Sequence, residues 1–201
     1  QQEDIWQSAE VDALYRLARA GVRVPEPFGC FDGVLLMELI TDENGDVAPR
    51  LSEVSMSEAQ AHEDHAQVMH YVMCMLNAGL VHGDLSEFNV LVDQDGPVII
   101  DLPQAVDAAA NNNAFAMLER DVKNMTDYYG LFAPALLDSH YAQEIWTLYE
   151  NAELHPDLTL TGHFDMPTEL ADVDSVMLEI KAALAEEESR KERLREAEAE
   201  D

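Results

Sequence analysis

One stretch of the chain, residues 81–101, limits the possible folds more than any other. His82-Gly83-Asp84 opens a polar loop that ends at Asn89, five residues after the aspartate. Two short apolar runs follow, separated by Asp93-Gln94-Asp95-Gly96, and the second run ends at Asp101. Turn residues between two apolar runs predict a β-hairpin. Because the two ends of a hairpin lie side by side, we expect Asn89 and Asp101 to be neighbours.

The polar residues of this stretch are of the kinds that phosphoryl transfer requires. A carboxylate orients the acceptor hydroxyl and takes its proton, and oxygen ligands hold Mg²⁺ against the phosphates. We interpret Asp84 as the base that faces the acceptor, and Asn89 and Asp101 as ligands of one shared ion. The alternative is that Asp84 is a turn residue and Asp101 a helix cap. The ordered combination of helix, loop and hairpin favours the first interpretation.

The spacing H-x-D-x-x-x-x-N followed by Ile-Asp resembles the catalytic loop and metal-binding aspartate of kinase-like enzymes. More closely, His-Gly-Asp-Leu-Ser-Glu-Phe-Asn at 82–89 and Ile-Asp-Leu-Pro-Gln-Ala-Val at 100–106 resemble the RIO-type atypical serine/threonine protein kinases, especially a bacterial RIO1-like branch. Asp121-Val122-Lys123-Asn124 and the pair Tyr128-Tyr129 also resemble that family. The resemblance extends from about Trp6 to Tyr149.

This resemblance implies an α+β, protein-kinase-like fold with a mostly helical C-terminal lobe and a partial N-terminal lobe. It also implies ATP- and Mg²⁺-dependent transfer of phosphate to serine or threonine of a protein substrate. Asp84 takes the place of the catalytic base, and Asn89 and Asp101 that of the magnesium ligands. In this family the residue at the place of Asp101 is also considered a phosphate acceptor during ATP turnover, so an ATPase-type switch is a second expected activity.

Three further residues are assigned to nucleotide binding through the resemblance. Glu10 matches the helix glutamate that pairs with the ATP-binding lysine, although a helix glutamate alone is more often simply exposed. Met37-Glu38-Leu39-Ile40 resembles the hinge that receives adenine through backbone groups at Glu38 and Ile40. Asp121 either anchors the catalytic loop from the following helix or is a solvated helix residue, and both interpretations stay open.

Periodicity and turn residues predict the rest of the organisation. The pattern predicts a helix from Trp6 to Ala20 and a hairpin with its turn at Asp32-Gly33. It also predicts a second helix that starts at Ser55 or Ser57 and ends at Gly79. Further helices are expected near 114–129, 133–151 and 168–185. We divide the chain into a remnant of the N-terminal lobe with the hinge at 1–51, a C-terminal catalytic lobe at 52–185 and a charged tail at 186–201.

The helix before the loop carries two sets of notable side chains. His62, His65 and His70 do not form a convincing zinc ligand set, so we expect them on a polar helix face. Met69, Met73 and Met75 are expected to pack in the core. Cys30 and Cys74 lie in apolar surroundings, typical of free buried thiols in a reducing cytoplasm.

A kinase fold of this kind also needs a Gly-rich turn over the phosphates and a lysine on the following strand. Neither precedes Trp6, and Lys123, Lys181 and Lys191, the three lysines of the sequence, all follow the catalytic loop. We therefore expect an N-terminally truncated piece with little or no kinase activity by itself. A non-catalytic pseudokinase scaffold is an alternative explanation of the same absence.

Charge and hydropathy narrow the class of partners. A formal net charge of -30 argues against direct binding to nucleic acid. No apolar run is long enough to span a membrane, and the first residues do not resemble a secretory signal, so we expect a cytoplasmic location. Family resemblance implies a protein substrate and a ribosomal particle as partners. A small-molecule phosphotransferase of the aminoglycoside or choline type, which shares His-Gly-Asp and the Asn, is the alternative function.

Overall fold

The structure is a computed structural model that describes residues 2–31 and 34–165, with residues 2–10 and Cys30 described by their backbone alone. Four α-helices, six short strands and two 3-10 turns occur within these residues. They follow one another as α1 (Gln2–Arg19), β1 (Pro27–Phe31), β2 (Val34–Met37), a 3-10 turn (Leu51–Glu53), α2 (Glu58–Asn77), β3 (Leu80–Val81), β4 (Val90–Asp93), β5 (Gly96–Ile99), β6 (Val106–Asp107), α3 (Ala114–Gly130), a 3-10 turn (Pro134–Asp138) and α4 (Tyr141–Glu150).

Helix α2 begins and ends where its local sequence directs. The Ser57 hydroxyl accepts the Gln60 N–H at 3.2 Å, so Ser57 rather than Ser55 is the N-cap. The chain leaves the helix through Gly79, whose φ of 79° is a conformation that glycine adopts without steric cost. Both ends were predicted from the sequence, and they fix the direction in which the chain enters the catalytic loop.

The apolar face of α2 forms the centre of the main core. Met69 and Met73 are completely buried and Met75 almost so, as expected from the sequence. Helix α3 packs against α2, and its Leu118 and Met125 belong to the same core cluster. The buried face of α1 and the 3-10 turn at Leu51 belong to the same core cluster, so the described elements on both sides of residue 52 share one core. The division into 1–51, 52–185 and 186–201 stays a prediction.

The strands pair as three separate antiparallel ribbons. In β1–β2, Phe31 faces Val34 across the predicted turn, and in β4–β5, Val90 faces Ile99. Both hairpins were predicted. The third ribbon, β3 with β6, was not, because strands of two residues carry no periodic signal. It places the segment that follows Asp101 beside the strand that leads into the catalytic loop.

Two expectations were wrong in detail. The predicted helix at 133–151 is divided: a 3-10 turn begins at Pro134, and α4 starts only at Tyr141. Proline is favoured where such a turn begins, and Ser139, with an extended ψ of 153°, ends the turn before α4. Three other predictions lie outside the described residues: the helix at 168–185, the tail at 186–201 and the turn at Asp32-Gly33.

None of the described helices is both long and apolar enough to cross a bilayer.

The second correction concerns the histidines of α2. His62 is exposed, but His65 is only 1% exposed, and its Nε2 lies 3.0 Å from the Thr126 hydroxyl of α3. The rings of Tyr129 and Tyr141 contact it edge-on. Burial lowers the pKa of His65 to about 4, and the nearby His62 adds to this. His65 is therefore a neutral core residue that joins α2 to α3, not part of a polar face.

Candidate active site

The catalytic-loop residues lie between β3 and β4, beside the end of β5. Val90 and Ile99 pair across the hairpin, and the Ile100 N–H donates to the Asn89 carbonyl at 3.0 Å. Asn89 and Asp101 are thus at the same end of one ribbon. The Asp84 and Asp101 side chains are both exposed. The structure brings the three predicted residues to one region, and their chemical roles stay predictions.

The side chain of Asn89 holds the loop in place. Its amide Nδ2 donates to the Asp84 carbonyl at 2.7 Å. An amide that donates through nitrogen has its oxygen on the other side, available as an acceptor or a metal ligand. Asn89 can therefore stabilise the backbone at Asp84 and offer an oxygen to a cation at the same time.

Helix α3 holds the residues on either side of Asp84. The Asp121 carboxylate accepts the Gly83 N–H at 2.7 Å and the Leu85 N–H at 3.0 Å. The neighbouring Arg120 donates to the Gly83 carbonyl, and the Asn124 amide donates to the Leu85 carbonyl at 3.0 Å. Asp121 is therefore an anchor of the loop, which decides between the two interpretations that its sequence left open.

The backbone of Asp84 itself is also fully bonded. Its N–H donates to His82 Nδ1 at 3.3 Å, and its carbonyl accepts from Asn89. With Nδ1 as the acceptor, the His82 ring carries its proton on Nε2, which lies 3.1 Å from the Ile100 carbonyl. His82, at 2% exposure, thus joins the loop to the end of β5. Every backbone N–H and C=O from Gly83 to Leu85 is bonded to a side chain.

Gly83 is required at its position. Its φ is 83°, and a Cβ there would lie 2.5 Å from the Met117 methyl and 2.9 Å from the Gln104 carbonyl oxygen. The second contact is with backbone, which cannot move away as a flexible side chain can. The absence of a side chain at residue 83 lets the segment after Asp101 pass directly against the catalytic loop.

Asp121 is an unusually buried carboxylate. It is 1% exposed, and burial raises its pKa, while the two backbone N–H donors, His82 and Arg120 act in the opposite direction. Removing a buried acceptor that satisfies two donors leaves both donors without partners, which costs more than the loss of an exposed charge. Asp121 is therefore expected to contribute to stability as well as to the position of the loop.

Asp101 has an uncommon backbone conformation. Its φ is 65°, and among the described residues it shares a positive φ outside glycine only with Ala152. Aspartate is one of the few residues that tolerate this region. Such a conformation persists where the surroundings enforce it, and it is frequent at functional sites.

Glu38 and Ile40, the predicted hinge residues, follow β2. The Glu38 N–H donates to the Glu26 carbonyl at 2.8 Å, and the Ile40 carbonyl accepts from Ala48 at 3.0 Å. Two other backbone groups, the Glu38 carbonyl and the Ile40 N–H, have no bond recorded within the described residues. An acceptor and a donor two residues apart match the edge of a purine, which is the pattern expected for adenine.

The structure describes the remaining residues that were predicted to bind nucleotide or metal in less detail. Glu10 lies in α1, and its side chain is outside what the structure describes. Among the described residues the one lysine, Lys123, pairs with Asp127 within α3. No three His, Cys, Asp or Glu side chains in the described part group closely enough to hold a metal ion by themselves. A Mg²⁺ site of one amide and one carboxylate would fit, since this ion usually takes few protein ligands and completes its shell with water and phosphate.

Comparison with known proteins agrees with this geometry. A family model described as the RIO domain matches residues 1–142. The RIO-type serine/threonine-protein kinase Rio1 of Haloferax volcanii is 41% identical over 124 residues, which are 62% of this chain and 41% of that protein. The serine/threonine-protein kinase RIO1 of Homo sapiens is 38% identical over 125 residues, or 62% of this chain and 22% of the human protein.

A third relative is nearer in length. The Rio1 protein of Thermoplasma acidophilum is 34% identical over 125 residues, covering 62% of this chain and 63% of that protein. The chain spans about two fifths of the Haloferax protein and about one fifth of the human one. The family match includes Asp84, Asn89, Asp101 and the loop-holding residues of α3. With its protein-kinase-like α+β fold, this chain belongs to the RIO family.

Proposed function

We propose that the protein carrying this chain transfers the γ-phosphate of ATP to a serine or threonine of a protein substrate. The observation that supports this most directly is the loop at Asp84: an exposed carboxylate on a backbone whose polar groups are all bonded. Phosphoryl transfer depends mainly on position and electrostatics, and a loop held in this way keeps a carboxylate in one place. The names of the relatives support the same activity.

In the proposed reaction the acceptor hydroxyl gives its proton to the Asp84 carboxylate. Its oxygen bonds to the γ-phosphorus as the bond from that phosphorus to the bridging oxygen breaks, and ADP leaves with the bonding electrons. Asn89 and Asp101 would hold Mg²⁺, which neutralises phosphate charge when bound. The Glu38 carbonyl and the Ile40 N–H would receive adenine.

A second candidate activity is ATP turnover as a switch. It is favoured by the Asp101 carboxylate, which is exposed at the end of β5 and held at an uncommon φ. In this activity an oxygen of the Asp101 carboxylate would bond to the γ-phosphorus as the bond to the bridging oxygen breaks and ADP leaves, and water would later hydrolyse the acyl phosphate to the carboxylate and inorganic phosphate. Membership of the RIO family disfavours the small-molecule phosphotransferase.

The experiment uses the full protein that carries this chain and compares Asp84→Asn with Asp138→Asn, a matched change at an exposed residue of the second 3-10 turn. We expect Asp84→Asn to lower transfer from radiolabelled ATP to protein serine by roughly 100- to 10,000-fold, because general-base catalysis contributes that much. Asp138→Asn should retain full activity. Retention within tenfold by Asp84→Asn would contradict the proposed role. The second candidate, ATP turnover as a switch, predicts radiolabel on the protein itself. That label should be removed by hydroxylamine and should be absent in Asp101→Asn.

Location and partners are proposed from the family and from charge. We place the protein in the cytoplasm and assign it a protein substrate. A ribosomal particle as partner is suggested by the family resemblance alone. The charge of -30 supports the proposal that this part of the protein does not bind nucleic acid directly.

A further inference from the structure

A groove of about 330 Å³ opens beside the catalytic loop, at the C-terminal end of α3. It is lined by Glu87, Asn124, Asp127, Tyr128 and Leu131, and we call it the α3 groove. It borders the loop that carries the proposed base: Asn124, which lines it, donates to the carbonyl of Leu85, the residue that follows Asp84, and Glu87 is on the same loop. We therefore expect that a molecule with a side chain in this groove can also reach Asp84.

One wall of the α3 groove is apolar and firmly held. Leu131 is 75% exposed, which makes it the most exposed large apolar residue among those that the structure describes. The adjacent ring of Tyr128 is half-buried, its hydroxyl donates to the Leu51 carbonyl at 2.6 Å, and the ring meets that of Phe132 in a T-shaped arrangement. The wall therefore offers apolar contact area without having to rearrange.

Carboxylates supply the charge of the groove. The Glu87 carboxyl group lines the groove together with Tyr128, and it adds to the effect of burial in raising the pKa of Tyr128. Asp127 is paired with Lys123, but both side chains are more than half exposed, at 54% and 68%. Exposed pairs of this kind contribute little, so Asp127 can exchange Lys123 for another cation.

We propose that the α3 groove binds a lysine or arginine side chain of the protein substrate, near the serine or threonine that receives phosphate. Glu87 and Asp127 are then specificity-determining residues. The inference rests on the proposed function, because it takes Asp84 as the site of transfer. It names a basic flanking residue as a feature of the substrate.

The chemistry of the groove favours this occupant over others. Lysine and arginine combine an apolar stem, which fits Leu131 and Tyr128, with a cationic head, which fits Glu87 and Asp127. An acidic side chain would meet two like charges. A purely apolar one would remove those carboxylates from water without a partner, which is unfavourable.

The test measures binding without ATP. Fluorescence anisotropy would follow labelled nine-residue peptides with a central serine, in which one position at a time carries arginine, alanine or glutamate. At one or two positions we expect arginine to bind about 5- to 10-fold more tightly than alanine. The Glu87→Lys variant should lose that preference. The Glu153→Lys variant, which changes net charge equally at an exposed residue beyond α4, should keep it within twofold.

Two further variants keep the test decisive if Glu87→Lys does not fold and test the apolar wall separately. The Ser52 N–H donates to the backbone carbonyl of Glu87, so substitution of its side chain leaves that bond intact. Should Glu87→Lys fail to fold, Glu87→Gln should still reduce the preference by about half. Leu131→Ser should weaken the arginine peptide about threefold, because it removes the apolar wall.

Each outcome decides a different question. Equal loss of preference in Glu87→Lys and Glu153→Lys would mean general attraction to an acidic protein, and the inference would be wrong. Absence of any arginine preference in the unmodified protein would also overturn it. A clear preference combined with full activity of Asp84→Asn would instead contradict the proposed catalytic role and leave the groove assignment standing.

Discussion

The two hairpins of this molecule are similar in length but differ in their surroundings. In β4–β5, Val98 and Ile99 are completely buried. In β1–β2, Phe31 and Val34 are 64% and 67% exposed although they face each other at the end of the ribbon. A hairpin motif alone therefore does not determine how strongly a ribbon is held.

The difference comes from what touches each ribbon. In β4–β5, the Val92 N–H donates to the Pro49 carbonyl and the Ile99 N–H to the Arg23 carbonyl, both at 2.9 Å. These bonds lie on opposite strands. In β1–β2, Tyr15 donates to the Pro27 carbonyl, and Leu35 packs against the core. The ribbon that presents Asn89 and Asp101 is fixed from both sides, whereas the ribbon that leads to the hinge is held mainly through one face.

The largest expected effect comes from truncating one apolar side chain of each hairpin to alanine, which tests whether β4–β5 is held more strongly than β1–β2. Ile99→Ala should lower the free energy of unfolding by about 3 kcal/mol, because it leaves a cavity at a completely buried site. Leu36→Ala, at a side chain 53% exposed, should change it by less than about 0.5 kcal/mol. Urea denaturation followed by circular dichroism gives both values. Similar losses in the two variants would remove the contrast.

A smaller effect is expected from the ion pair that fixes the far end of β4–β5. Arg23 Nη1 donates to Asp93 Oδ1 at 2.7 Å, its second Nη donates to the other oxygen, and the Asp93 side chain is only 6% exposed. Arg23→Met leaves that carboxylate buried without its partner, so we expect a loss of about 2 kcal/mol.

Lys123→Met is the matched control for this pair. It breaks an exposed pair within α3 and should cost less than about 0.5 kcal/mol. Both variants can be compared by thermal unfolding under identical salt conditions. An equal cost for the two would show that Arg23 does not fix the ribbon.

The smallest effect concerns acid, which should weaken the buried helical core that supports β4–β5. His65 has a pKa of about 4 in the folded chain, below the ordinary value of 6.5. Between these values the unfolded chain binds a proton that the folded chain does not, so stability falls as pH falls. From pH 6.5 to 5.0 the His65 contribution should fall by about 1–2 kcal/mol and reach its minimum below pH 4.

Urea midpoints at pH 6.5 and 5.0 test this dependence. His65→Gln should lose much of the pH dependence, whereas His62→Gln, at an exposed position of the same helix, should retain it. The same slope in both variants would assign the acid sensitivity to other groups.

Much of the fold follows from local signals in the sequence. Ser57 and Gly79 bound α2 as their residue types predict, and Asp and Gly residues between apolar runs predicted both strand pairings. The proximity of Asn89 to Asp101 followed from hairpin geometry alone. Local rules succeed here because caps and turns depend on a few adjacent residues.

The contacts that hold the catalytic loop were beyond such rules. Arg120 was not singled out, Asn124 was noted only within a family motif and given no role, and Asp121 was left undecided. Each of them bonds to backbone more than 35 positions away. Their spacing on one helix face was the available signal. His65 was misassigned because polarity alone does not show that Thr126 and two aromatic rings surround it.

The bonded backbone around Asp84 has a consequence for regulation. The backbone polar groups of this segment are all hydrogen-bonded, so any other conformation of the segment would break several hydrogen bonds at once. An inactive state that requires a different conformation of this segment therefore has a high free energy. For the proposed function, we therefore expect control to act through the elements that deliver nucleotide and acceptor.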